Sequence, residues 1–381
     1  MFFFASLAWN FGLGMTWLAV PLYAHTQGLS NAEIGALFAA PVFAQAPLNL
    51  VGGAYTDRIG GRRIMLGSCW ATVAAGILFV FAQGFWMLLL GQLVLILSRA
   101  AFWPATWAMA SELPGSRGVQ LGRLNAVTNT GQIVGTALGG FSLALVGFKA
   151  TFGILALIGL VSFVAGLLTH PGPARERRAI GVLAGYLPLL RHRIIQYTVL
   201  CAYLSALPFS LTISFFPLLL SSFGYAEECS GVLLALRAVG SIAASLLVAR
   251  FARSGPETLW PVVCGVIVAA SIGLLPVWNN PFPIGLCLLL VGAGSAAMTL
   301  YFQITISEAS APEERGSALA LGGLGWSVSH FSTPLIMGLL ADRYGLVAGF
   351  YVIGVLALAC ALFIAWARRW AFAGAASPAA R

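Results

Sequence analysis

The sequence predicts an all-α membrane protein of twelve transmembrane helices, arranged as two six-helix bundles related by a pseudo-twofold axis. Three observations carry that prediction. The residues AVILMFWYC make up 60% of the 381 and DEKR only 8%, with mean hydropathy +0.93. With that mix, the solvent for most of the surface must be lipid. The apolar residues fall into separate runs of about 20, the length that carries a helix across a hydrocarbon core about 30 Å thick. The order of Gly, Pro and charged residues in the first half of the chain also recurs in the second.

The predicted spans are 2–23, 31–54, 64–83, 86–109, 119–146, 149–169, 194–222, 230–250, 259–277, 283–306, 316–340 and 346–367. The runs are continuously apolar rather than alternating, which selects helices over a lipid-facing barrel. A helix satisfies its backbone groups within the segment. The opening MFFFASLAWN continues apolar for over twenty residues, so it reads as an uncleaved first span. Its lack of a charged leader suggests a slightly longer natural N-terminus.

Charge then sets the expected topology. Of the 20 Lys and Arg, Arg99 and Arg237 fall inside spans, and Lys149 and Arg343 fall on one face. The other sixteen fall on the face that carries both termini. That asymmetry predicts cytoplasmic termini and a multi-pass protein of the cytoplasmic (inner) membrane. It also accounts for the net charge of +9 without nucleic acid as a partner. The segment 170–193 is the one long charged connector. It divides the chain into an N-terminal six-helix bundle (1–169) and a C-terminal one (194–367), followed by a cytoplasmic tail (368–381). The six cysteines lie in or beside apolar runs with no short paired spacing, so neither a disulfide framework nor a metal site is expected.

The repeat is specific enough to align. At an offset of 196, Pro21-Leu22 fall on Pro217-Leu218, Gly28 on Gly224, Gly35 on Gly231 and Ser111-Glu112 on Ser307-Glu308. At an offset of 198, Arg117-Gly118 fall on Arg315-Gly316, Gly140 on Gly338, Gly147 on Gly345 and Phe152 on Phe350. Two same-direction repeats of six spans imply a pseudo-twofold axis along the membrane normal.

The turn between spans 2 and 3 reads Gly53-Ala-Tyr-Thr-Asp57-Arg58-Ile-Gly60-Gly-Arg62-Arg63. It resembles the GxxxDRxGRR signature of the major facilitator superfamily, with Gly61 where a basic residue is common. The span count, the central linker and the repeat extend that resemblance over the whole chain. Physically, a carboxylate such as Asp57 can accept from backbone donors at a helix N-terminus while the arginines pair with acids on the same face. The candidate cytoplasmic gate is therefore Gly53, Asp57, Arg58, Gly60, Arg62 and Arg63 with Glu112 and Arg117, repeated as Glu308 and Arg315. The position matching Asp57 is Arg253, so the second latch is degenerate. Ordinary topology-fixing loop charges are the alternative.

Span 5 carries Gly131, Gly135, Gly139 and Gly140, whose spacing lets another helix approach closely. The stretch GQIVGTALGG resembles the glycine pattern of the superfamily's antiporters, although Thr136 stands where Pro is expected. Asn125, Asn129, Gln132 and Thr136 form a polar stripe on the same span, which faces protein or a wet cavity. Arg99 and Arg237 are costly inside a membrane, by about 2.5 to 3.5 kcal/mol on insertion scales, and every acid falls in a loop or at a span end. Either they bind an anionic solute bidentately or they brace helices through carbonyl oxygens. Arg99 also resembles the buried arginine of the superfamily's span 4. His330 shares a helix face with Trp326 and Thr333, and imidazole is the group able to change charge near neutral pH. Trp103, Tyr203, Tyr301 and Gln303 are further candidates for a pocket lining, with lipid or helix packing as the alternative for each.

No nucleotide loop, zinc-helix motif or nucleophile set occurs, so neither an enzyme nor a cofactor is expected. The resemblance implies a secondary active transporter working by alternating access on a small-molecule substrate. The antiporter-like glycines favour proton-coupled export. The alternatives are uptake or exchange of an organic anion held by the buried arginines, or, in another class, a non-transporting membrane receptor or interaction protein. The chain is expected to act as a monomer with membrane lipids around it.

Overall fold

The computed structural model describes residues 1–114, 116–169, 191–248, 258–310, 318 and 321–373. Among these, all regular structure is helical. In chain order the helices are α1 Phe2–Thr26, α2 Asn31–Ile59, α3 Gly61–Phe81, α4 Gly84–Glu112, α5 Arg117–Leu167, α6 Arg193–Thr212 and α7 Phe216–Ser222. They continue as α8 Glu227–Val248, α9 Trp260–Leu274, α10 Pro281–Ala309, α11 Leu324–Tyr344 and α12 Leu346–Ala371. Among the described residues nine helices are long and apolar enough to cross a membrane.

Spans 5 and 6 are two helices within α5, separated at Gly147, whose φ 74° and ψ 179° are not helical. That conformation is open to glycine and strained for other residues. The expected span 7 is broken at Ile213–Phe215 into α6 and α7, because Pro217 sits in the first turn of α7. Pro217 has no N–H to donate to the Ile213 carbonyl and its ring would clash with that oxygen, so the helix stops and restarts.

Contacts group the chain into two compact units. The first comprises the described residues within Met1–Ala179, Leu211–Ala235 and Thr333–Leu346. The second comprises those within Ile180–Ser210, Leu236–Ser332 and Val347–Arg381.

In the first unit the glycines of α5 do what their spacing implies. A Cβ on Gly135 would overlap the Phe11 carbonyl, and one on Gly131 would stand 2.5 Å from that of Leu7. The backbones of α1 and α5 therefore touch, and Gln132 Nε2 donates to Asn10 Oδ1 at 2.9 Å across the seam. Nearby, Ser98 Oγ of α4 donates to the Ser68 carbonyl at 2.8 Å and accepts from Trp9 Nε1 at 3.1 Å.

The internal repeat is visible as geometry. Gly28 and Gly224 have φ 79° and 81°, and Gly147 and Gly345 have φ 74° and 88°. Within the first unit, Gly35 of α2 packs on the Pro334 carbonyl and Gly338 of α11, while Gly338 packs on Asn31 and Ala32. The matched positions pair likewise. Gly231 of α8 packs on the Thr136 carbonyl and Gly140 of α5, and Gly140 packs on Glu227 and Glu228. Two seams, α2 against α11 and α8 against α5, are thus built from equivalent residues.

In the second unit the close approaches are Gly240 to the Leu289 carbonyl and Gly292 to that of Arg237, which join α8 to α10. Gly325 against Val199 and Tyr203 joins α11 to α6. Ser241 Oγ reinforces the first by donating to the Gly292 carbonyl at 3.0 Å. These contacts fix the helices that carry Arg237, Tyr203 and Trp326.

Candidate substrate-binding site

The second unit brings four of the expected residues onto three neighbouring helices: Tyr203 on α6, Arg237 on α8, and Trp326 and His330 on α11. Arg237 is only 6% exposed, and its Nε has no hydrogen-bond acceptor. Its guanidinium carbon instead lies 5.3 Å from the ring centroid of Phe209. A cation over a ring contributes on the order of 0.5–2 kcal/mol, increasing as water is excluded. Leaving a buried donor unmade costs about 1–3 kcal/mol, more when it is charged.

Phe209 extends the cluster. Its ring lies 5.3 Å from that of His330 and 6.1 Å from that of Trp326, whose indole stacks on His330 at 5.3 Å with 22° between planes. Trp326 Nε1 donates to Ser205 Oγ at 3.2 Å, and Tyr203 Oη lies 3.3 Å from Ser332 Oγ. Phe209 and Trp326 are half-buried, so both retain accessible ring surface.

In the first unit, Arg99 and Trp103 lie one turn apart on α4, and Arg99 Nε is likewise buried without an acceptor. Trp103 packs edge-on against Trp9, which stacks on Phe102 with centroids 3.8 Å apart. Gln132 is tied to Asn10, whereas Asn125 and Asn129 are exposed. Tyr301 and Gln303 do not join the α6–α8–α11 cluster. Tyr301 is buried with its ring 6.5 Å from Tyr197, and Gln303 is exposed on α10.

Of the gate residues, Gly53 lies in α2, while the side chains of Asp57, Arg58 and Arg117, together with Arg253 and Arg315, lie outside the described residues. Gly60 breaks the chain between α2 and α3 with φ 89°. Arg62 donates through Nε to the Gly166 carbonyl at 3.3 Å and through Nη2 to that of Leu167. It thereby caps the C-terminus of α5, where carbonyls lack helical partners and a cation is favoured. Arg63, Glu112 and Glu308 are exposed.

Sequence reasoning missed Phe209, Ser205, Ser332, Trp9 and Asn10. Only Asn10 carried a signal, as a lone amide inside an apolar span, and the argument applied to the polar stripe of span 5 would have found it. A Phe or Trp in a membrane helix is ordinary until the fold shows what lies beside it.

At the other face of the first unit stands a carboxylate without a sequence-level role. Asp342 Oδ1 accepts from the Asn31 backbone N–H at 2.8 Å and from Asn31 Nδ2 at 3.0 Å, and Oδ2 accepts from the Ala32 N–H at 2.9 Å. Partial desolvation pushes this carboxyl up. The hydrogen bonds from Ala32 and Asn31 outweigh that effect and hold it below the ordinary Asp value.

Comparison with known proteins agrees with this architecture. The sequence matches the Major Facilitator Superfamily over residues 2–284 and 198–374. Multidrug resistance protein MdtG of Proteus mirabilis is 25% identical over 363 residues, 90% of this chain and 88% of that protein. Quinolone resistance protein NorA of Staphylococcus aureus is 23% identical over 167 residues, and the match spans 43% of each. Among solved structures, a bacterial homologue of the human lysosomal transporter Spinster, inward-facing and unoccupied, superposes with TM-score 0.82 at 16% identity, covering 99% of this chain and 97% of that one. A point mutant of the nucleoside transporter NupG gives 0.81 at 13% identity, covering 97% and 99%. The chain belongs to the major facilitator superfamily, a family of membrane transporters.

Proposed function

We propose that this protein is a secondary active transporter that exports a small amphipathic organic solute by alternating access, coupled to protons, from the cytoplasmic membrane with both termini in the cytoplasm. The observation that carries the reading is the cluster of Arg237, Phe209, Trp326 and His330. It combines accessible ring surface with one cation and one imidazole on helices that cross the membrane. Imidazole can gain and lose a proton between about pH 5 and 8, so His330 supplies a proton carrier in the middle of a span, whereas the acids lie in loops or at span ends. The likeness to a multidrug and a quinolone resistance protein supports export.

A second reading, uptake or exchange of an organic anion, is favoured by the acceptor-free Nε of both Arg99 and Arg237. The test is flux into and out of proteoliposomes for a panel of aromatic anions, neutral compounds and amphipathic cations, with and without a pH gradient. Export requires gradient-dependent accumulation on the side with the higher proton concentration. Exchange of an anion requires flux that depends on solute on the opposite side and is indifferent to the gradient.

A further inference from the structure

Resting on the transport reading, we infer that the α6–α8–α11 cluster selects a planar aromatic anion, a carboxylate borne on a flat ring system, and rejects lipophilic cations. Three features converge on that chemistry. Arg237 is the cation of the cluster, is more than nine-tenths buried, and its Nε lacks an acceptor. A carboxylate offers a guanidinium two parallel acceptors in the geometry of its own fork. The rings of Phe209, His330 and Trp326 lie within 5.3 to 6.1 Å of one another, and the first of them already lies under the guanidinium. An aromatic acid would therefore place its charge at Arg237 and its faces on Phe209 or Trp326. The acids of α8, Glu227 and Glu228, are in its first turn, so Glu228 lies nine residues, about 13 Å along the axis, from Arg237. A lipophilic cation would meet a like charge at the same place with no carboxylate among the described residues of the cluster to balance it.

Three naphthalene probes of one ring size separate the charges: 2-naphthoate, 2-naphthamide and 2-naphthylmethylammonium. Binding to the purified full chain is read by tryptophan fluorescence and by ligand-induced thermal stabilisation. The wild type should bind the carboxylate best and the ammonium least, a comparison that needs no variant. Arg237→Lys keeps the charge and loses the fork, and should weaken the carboxylate about ten- to a hundredfold, the range of a charge-assisted hydrogen bond, while leaving the amide unchanged. Phe209→Leu should weaken the carboxylate and the amide together. Binding of the ammonium as tight as the carboxylate, or an Arg237→Lys variant indistinguishable from wild type, would overturn the inference. Flux is measured separately. Naphthoate that binds but never crosses defeats the transport reading and leaves the site, whereas flux of other compounds without naphthoate preference does the reverse.

A different observation carries a second inference. The α2–α11 and α8–α5 seams are built from matched glycines, yet only the first has an acid at the position of Asp342. The residue equivalent to Asp342 in the other seam is Ala144, 198 positions earlier. Asp342 binds both Asn31 and Ala32 at the start of α2, where N–H groups lack helical partners and the helix dipole favours negative charge. We propose that Asp342 is a latch joining the first six spans to the second six at the face opposite the termini, and that the seam opens only when these bonds break. Spin labels at Gln27 and Tyr344, both exposed, report the separation in a cysteine-free background. Asp342→Ala should shift the distance distribution to longer values, and amide exchange at residues 31–35 should quicken at least tenfold. Arg343→Ala should do neither. Unchanged distances and exchange in a folded Asp342→Ala variant would overturn the latch.

Discussion

The imidazole of His330 stacks on Trp326 one turn earlier in α11, and its Nδ1 lies 2.8 Å from the Trp326 carbonyl. A carbonyl only accepts, so Nδ1 carries the hydrogen, and Nε2 is the nitrogen at which a proton arrives or leaves. If this ring carries the coupled proton, His330→Gln keeps a polar side chain but removes the titration. Gradient-driven accumulation should fall at least tenfold, and the dependence of transport on pH between about 5 and 8 should flatten. Solute binding, measured by thermal stabilisation, should persist. A variant that keeps the wild-type pH profile would remove His330 from the coupling route.

Close packing of α1 on α5 makes a stability prediction. A Cβ at Gly135 meets the backbone of Phe11, which cannot swing aside as a side chain could. Gly135→Ala should destabilise by about 1–3 kcal/mol, the usual cost of overpacking, and lower the thermal midpoint of the detergent-solubilised protein. Gly122, on the same helix with nothing within 4 Å of a Cβ, is the control. Gly122→Ala should be neutral or stabilising by up to about 1 kcal/mol.

The Asp342 contact should weaken in acid. The folded-state carboxyl lies below its ordinary value, so its contribution is complete above that value and is lost as pH falls through the depressed one. The charged neighbours are Arg343 on α11 and Glu33 on α2, and Glu33 Oε2 accepts from the Ser30 N–H at 2.8 Å. Amide exchange at Asn31 and Ala32, corrected for its intrinsic pH dependence, should therefore be flat near neutrality and rise below about pH 4. In Asp342→Asn the rise should be absent.

Orientation is open to a direct check. With the native cysteines removed, Glu112→Cys and Lys149→Cys place single thiols on exposed positions at opposite ends of the fourth to sixth spans. A membrane-impermeant maleimide applied to intact cells should label the second and spare the first. Labelling of both, or of the first alone, contradicts cytoplasmic termini.

Much of the fold was legible because lipid imposes simple rules on a chain. Span length, helix type and the repeat follow from hydropathy and from glycines whose backbone no other residue tolerates. Gly28 with Gly224 and Gly147 with Gly345 were aligned by sequence and share left-handed φ values. The repeat misled at Pro217, because its mate Pro21 lies inside the unbroken α1. For the site, Arg237 and His330 stood out because polarity inside a membrane is costly. Phe209 did not, since its significance lies in what surrounds it. Asp342 was hidden for another reason. Beside Arg343 it looks like an ordinary loop charge, and its partner Asn31 is 311 residues away. Trp103 packs on Trp9 within the first unit and Tyr301 on Tyr197 within the second.

The central claim, movement of an organic solute tied to protons, is tested most directly by recording the pH inside proteoliposomes with a trapped dye while 2-naphthoate is driven across the membrane. The account predicts a proton flux opposite in direction to the solute, abolished in His330→Gln and absent from protein-free vesicles. Solute movement with no accompanying pH change, or no solute movement above that of protein-free vesicles for any compound tested, would contradict it.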